Sequence, residues 1–274
     1  FFQDVKGSVK EISVSGTATT NTLDMLLENI MGEAEGSASG VYSFLSNASA
    51  QTVGSGSSSQ AGTLLSVIIK SAFGTNADLA FKDCVVTALS LSGDMGTEGG
   101  RVKFSATFKS GSAVSLNASA TTVDTAFTAA SENYLMSSWA AGYRQLVGVA
   151  DLVMSSFNLS LTNEANFIGL VSTGYEVIAR AGEFSATLDA TIKYDDKCED
   201  FFKNFSEQVT GASEGATLLN NDGSLTDGAF GISMPSSILT NVAFNEQAMM
   251  MLDVSIKALG AGTGSSTALV EVAC

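Results

Sequence analysis

The feature that most constrains this chain is strict side-chain alternation. In Val102, Phe104, Ala106 and Phe108 the apolar residues fall on every second position, with Lys103, Ser105, Thr107 and Lys109 between them. Phe184, Ala186, Leu188, Ala190, Ile192 and Tyr194 extend the rule to six positions, and Phe157, Leu159 and Leu161 repeat it. So do Met250, Leu252, Val254, Ile256 and Ala258. A period of two places one dry and one wet face on each strand, which a helix cannot do. The stretch LSLSGDMGTEGGRVKFSATFKSG, residues 89–111, is then two such strands around a glycine-rich acidic turn. LLSVIIKSAF, 64–73, is a continuous apolar run and reads as a buried strand.

Helical spacing occurs twice. Leu23, Leu26, Leu27, Ile30 and Met31 form one stripe, with Asn21 or Thr22 available as N-cap. Cys198, Phe201, Phe202, Phe205 and Val209 form another, where Asp196 and Glu199 are spaced as a capping box. The predicted fold is mainly β: an antiparallel β-sandwich or partial barrel with one or two flanking helices. Residues 1–40 read as an N-terminal arm with a short helix, 41–259 as the main domain, and 260–274 as a C-terminal arm or strand. Within the domain, 46–62 reads as a loop and 112–150, which holds the only tryptophan, as an insertion.

Charge and composition exclude several functions. There are 28 acids against 13 bases, a net charge of −15, and no local basic cluster. Phosphate-backbone affinity comes from Lys and Arg, so a nucleic-acid binder is not expected. Only 15% of residues are charged while 45% are hydrophobic, which suits a subunit that hides surface against neighbours. The 3 cysteines and absent histidine give neither a closed disulfide framework nor a zinc site. Asp195 with Asp196, and Asp94 with Glu98, read as a helix cap and a hairpin turn rather than as acid and base pairs. NNDGSLTDG, 220–228, lacks the central glycine and distal glutamate of a calcium loop. No enzyme, cofactor or metal is expected, and no apolar run is long enough to span a bilayer.

FKDCVVTALSLSGDMGTEGGRVKFSATFKSG resembles the tail tube proteins of long-tailed, siphovirus-like bacteriophages. The resemblance continues through SFNLSLTNEA, GEFSATLDATIKYDD with the aromatic helix after it, and GAFGISMPSSILTNVAF. It covers about residues 60–111 and 151–258. It implies a tail-tube type sandwich whose copies form hexameric rings, stacked into a hollow tube that conducts DNA into the host. Sheets of neighbouring subunits would join around the lumen. The implied partners are further copies, tape measure, tail terminator and baseplate or tip proteins. The implied place is the virion tail, assembled in the host cytoplasm. With six copies at −15 each, the expected bore is acidic and lets DNA pass without specific binding.

On this reading Asp94 and Glu98 in the hairpin turn are candidate contacts to an adjacent ring. Leu23, Leu26, Leu27 and Ile30 either cover a neighbour or pack on their own domain. Ser185, Thr187, Asp189, Thr191 and Lys193 are candidate lumen-facing residues, with an outward orientation equally open. A secreted surface-filament subunit, or another virion β-protein such as a decoration or tail-tip domain, remains an alternative.

Overall fold

A computed structural model describes residues 9–31, 40–45, 51–52, 64–70, 78–97, 99–116, 134–171, 174–180, 184–207, 215–219, 225, 228–246, 250–259 and 268–274. Alternation dictates its main sheet. Strands β1 (Lys10–Thr17), β6 (Lys103–Ser110), β5 (Leu79–Asp94), β9 (Met154–Thr162), β12 (Ser185–Lys193), β16 (Met250–Ala258) and β15 (Ser237–Glu246) hydrogen-bond in that order. Every pair is antiparallel. Two short strands, β4 (Leu65–Ile69) and β7 (Ser115–Leu116), pair with the first half of β5.

A second antiparallel sheet runs β2 (Val41–Leu45), β17 (Ala268–Ala273), β14 (Gly231–Met234), β13 (Ala216–Leu218) and β8 (Arg144–Gln145). A third contains β10 (Ala165–Val171), β11 (Gly174–Arg180) and β3 (Gln51–Thr52). The dry face of the main sheet is fully buried at Leu91, Leu159, Leu161, Ala186, Leu188, Ile192 and Leu252. These side chains form one hydrophobic cluster with Ile232, Val270 and Val272 of the second sheet and with helix α1 (Thr20–Met31). The chain is thus mainly β, as the alternation requires.

Several expectations need correction. Leu23, Leu26, Leu27 and Ile30 are at most 4% exposed and pack in this chain's own core, so they are not contacts to a neighbour. Within the expected N-terminal arm, residues 10–17 are not free, because β1 pairs along its whole length with β6. The C-terminal strand β17 lies between β2 and β14. Helix α1 starts before the anticipated caps: the Thr19 carbonyl accepts from the amides of Thr22 and Leu23 at 3.1 and 2.9 Å. The run at 64–73 yields β4, a half-buried strand with Ile69 46% exposed, because only β5 pairs with it. Met250 is exposed at the mouth of β16, ahead of the buried positions.

The aromatic helix is α2 (Glu199–Glu207), preceded by a single 3-10 turn, Asp196–Cys198. Its cap is Asp195 rather than Asp196: the Asp195 carboxylate accepts from Lys197 N at 3.1 Å, and Cys198 Sγ accepts from Asp195 N. Phe201 is buried and Phe202 stacks on Phe244 of β15, while Phe205 is exposed. Val209 lies outside the described residues.

The insertion read at 112–150 is structural where it is described. Residues 134–150 form two 3-10 turns and β8, and they bury Tyr134, Met136, Trp139 and Leu146 between the two large sheets. Val102 N donates to Tyr134 O, Met136 N to Gly100 O, and Ala140 N to Leu219 O, so the segment bridges both layers.

All three cysteines are buried. Burial pushes the Cys84 and Cys198 thiols up from their ordinary range. Cys274 Sγ and the Tyr42 hydroxyl both reach Asp24 Oδ1, at 3.2 and 3.0 Å. Burial, then the Asp24 carboxylate, raises the Tyr42 phenol well above its ordinary value of 10.0. The folded chain therefore keeps this proton at a pH where the unfolded chain has lost it. The stabilisation is complete below about pH 10 and is lost as pH rises beyond it. Tyr42→Phe is expected to destabilise by roughly 1–3 kcal/mol at neutral pH. Urea titrations of both proteins should show that gap closing above pH 10, and a gap independent of pH would contradict the assignment.

Candidate assembly surface

The wet sides of the seven long strands form one continuous face, because the register aligns like with like. One row reads Thr17, Lys103, Ser92, Asn158, Asp189, Ser255, Asn241 from edge to edge. The next reads Ser15, Ser105, Ser90, Ser160, Thr187, Lys257 and Ile238. A third joins Asp94, Ser156, Thr191 and Asp253. Ser185, Thr187, Asp189, Thr191 and Lys193 all lie on this side, half-buried or exposed. Their neighbours Ala186, Leu188, Ala190 and Ile192 turn into the core.

Side chains on the face satisfy one another. Ser90 Oγ donates to Asn158 Oδ1 at 2.5 Å, and Asn158 Nδ2 donates to Ser160 Oγ at 3.1 Å. Thr191 Oγ1 and Asn245 Nδ2 donate to the two oxygens of Asp253, at 2.7 and 2.9 Å. Such mutual bonding fixes hydroxyl and amide groups in place without burying them.

The charges on this face do not follow the acidic excess of the whole chain. On the described strands, Glu11, Asp94, Asp189 and Asp253 share this face with Lys103, Lys109, Lys193 and Lys257, and Glu164 at its end pairs with Lys109. A chain with more than twice as many acids as bases thus presents a balanced surface here. Much of the excess lies elsewhere, as around α2, where Asp195, Asp196, Glu199 and Asp200 cluster near Lys197. Pairing geometry sets opposite charges side by side: Glu11 lies across from Lys109, and Lys257 lies diagonal to Asp189.

Asp94 ends β5 and accepts from Gly96 N at 2.7 Å, which closes the hairpin turn. Its partner in the expectation, Glu98, lies outside the described residues. Both borders of the sheet are strands without a further described partner, β1 on one side and β15 on the other. Val14 and Phe244 are exposed on them, at 36% and 52%.

One polar centre gave no signal in the sequence. Arg180, at the end of β11, is 5% exposed. Its guanidinium donates to Val86 O at 2.7 Å and to Asn163 O and Asn29 O at 2.5 Å. Asn29 Oδ1 accepts from Val86 N at 2.6 Å, and Asn163 Nδ2 donates to Ile30 O at 2.7 Å. Two of the last carbonyls of α1 are therefore capped by a cation from β11 and an amide from the turn before β10. They meet at the bulge of β5, where the β5–β6 register shifts between Val86 and Ala88. Burial lowers the Arg180 pKa to about 9.

No family model and no curated protein matches the chain. Among solved structures, it is similar to a chain from the tail of an empty gene transfer agent particle computed with helical refinement and C6 symmetry. The identity is 11% and the TM-score 0.32, over 43% of this chain and 84% of that one. The functional reading below stands on the sheet alone.

Proposed function

We propose that this chain is a structural virion protein whose copies form stacked six-membered rings, a tail tube of the long-tailed phage type. The observation that carries the reading is the hydroxyl-rich face across seven strands, bounded by two edges without a further partner among the described residues. An exposed edge invites pairing, and joining copies edge to edge removes it. Seven alternating strands leave β1 and β15 running in the same direction. Head-to-tail rings would therefore join them in parallel, whereas two-fold pairing of like edges would be antiparallel.

In this reading the open face, with Ser185, Thr187, Asp189, Thr191 and Lys193, lines the bore. DNA passes because the wall is rich in hydroxyls and balanced in charge, so few phosphate contacts release counterions. The chain catalyses nothing and contacts copies of itself, a tape measure, a terminator and a baseplate or tip protein. It assembles in the host cytoplasm. Electron microscopy of the purified protein tests this directly. Hollow rings or tubes are expected; thin solid filaments would favour a surface fibre, and lone monomers at high concentration would reject assembly altogether.

A further inference from the structure

The β10–β11 hairpin sits over one end of the polar face, and its attachment is unusual. Beneath it Val85, Ala165 and Ile178 form a small cluster, separate from the main core, with Phe167 packed alongside. Val85 pairs with Lys109, and Lys109 with Glu11, so the hairpin covers the Val85 end of this row and leaves Glu11 exposed. Beyond this cluster the hairpin is held by Arg180, by the pairing of Ala179 and Arg180 with Thr52 and Gln51 of β3, and by Phe167 and Tyr175 lying against Gly111. Among the described residues, every acceptor of that guanidinium is a carbonyl oxygen, and its Nε has no partner. The nearby Glu164 is bound instead to Lys109 at 2.7 Å.

A buried cation without a carboxylate is held by a narrow margin. Its hydrogen bonds are offset by lost hydration, which is recovered once the guanidinium reaches water. One of those acceptors, Asn29 O, belongs to the last turn of α1, which ties the hairpin to the helix. The geometry points to a flap: the hairpin opens as a unit with the last turn of α1, with Arg180 as its latch. Opening uncovers Val85 and the covered part of Lys109, next to the exposed Glu11. Where copies assemble, a closed flap withholds that row from a neighbour and acts as a brake; this last clause alone rests on the tube reading.

Hydrogen exchange on the full chain, with Arg180→Met and Arg180→Lys, tests the latch. Methionine keeps much of the length and removes every donor; lysine keeps the charge but cannot bridge three carbonyls. Amides of Gly174–Arg180 and of residues 27–31 should exchange at least tenfold faster in R180M, and by less in R180K. Those of β12 and β16 should stay within twofold. In a second arm, Ile178→Cys, now 7% exposed, should react with a thiol reagent at least tenfold faster in the R180M background. Hairpin amides that accelerate without those of α1, or a uniform rise throughout the chain, would overturn the flap. For the brake, R180M should polymerise at a lower concentration than the parent, and an equal or higher threshold would remove it. A chain that exchanges as expected yet never polymerises leaves the flap standing and sinks the tube.

Discussion

Trp139→Ala is expected to leave the protein at the edge of unfolding. The indole is 3% exposed, with ring centroids 5.0 Å from Phe157 and 5.9 Å from Phe230. Truncating a buried aromatic of this kind removes about 3–5 kcal/mol. Its Nε1 also donates to Phe230 O at 2.9 Å, and orphaning that buried carbonyl adds about 1–3 kcal/mol. Domains are stable by only about 5–15 kcal/mol, so the combined loss is most of what there is. Trp139→Phe separates the two contributions: it keeps an aromatic ring against Phe157 and loses the donor, so roughly the smaller share should disappear. Denaturant unfolding of the three proteins measures this. If alanine lowers stability by less than about 1 kcal/mol, the segment around Trp139 does not join the sheets as described.

The second large effect concerns the open face. Asp189 lies in the middle of β12, exposed, between Asn158 and Ser255 on the neighbouring strands. Asp189→Lys shifts the balance of the face by two positive charges per copy, and a ring multiplies the change around its bore. Each added phosphate contact steepens the salt dependence of DNA binding by about one power of salt concentration. Tubes of the parent should bind duplex DNA weakly with little salt dependence, whereas D189K tubes should bind it at low salt and release it as salt rises. The side chain is solvent-facing, so folding should change by no more than about 0.5 kcal/mol. D189K tubes that still ignore DNA at low salt would place this face away from the lumen. The balanced charge matters here, because a wall already strongly acidic would absorb one reversal without consequence.

The burial of Arg180 was beyond the reach of a sequence reading. GYEVIAR alternates weakly and ends in a charged residue, which on local evidence belongs in solvent. It is buried because three carbonyls from α1, β5 and the turn before β10 converge on one point. Those residues are 17, 94 and 151 positions away in the chain. The packing of the segment at 134–150 was out of reach for a related reason. The polar start of the 112–150 insertion breaks the rhythm, yet Trp139 and Met136 are placed by partners on both sheets rather than by any period of their own. The leucine stripe of α1 was legible as a helix, but the stripe does not say whether the surface it meets belongs to the same chain.

What the sequence determined by itself is therefore the strands and their two faces. A side-chain period of two is a local property, and Phe184 to Ile192 or Val102 to Phe108 carry it without reference to anything distant. Tertiary structure alone decided which wet faces lie side by side, how their lysines and carboxylates balance, and which cation is sealed beneath the hairpin. Those depend on strand order and register, set by contacts between residues far apart, and alternation within one strand contains no record of its neighbour.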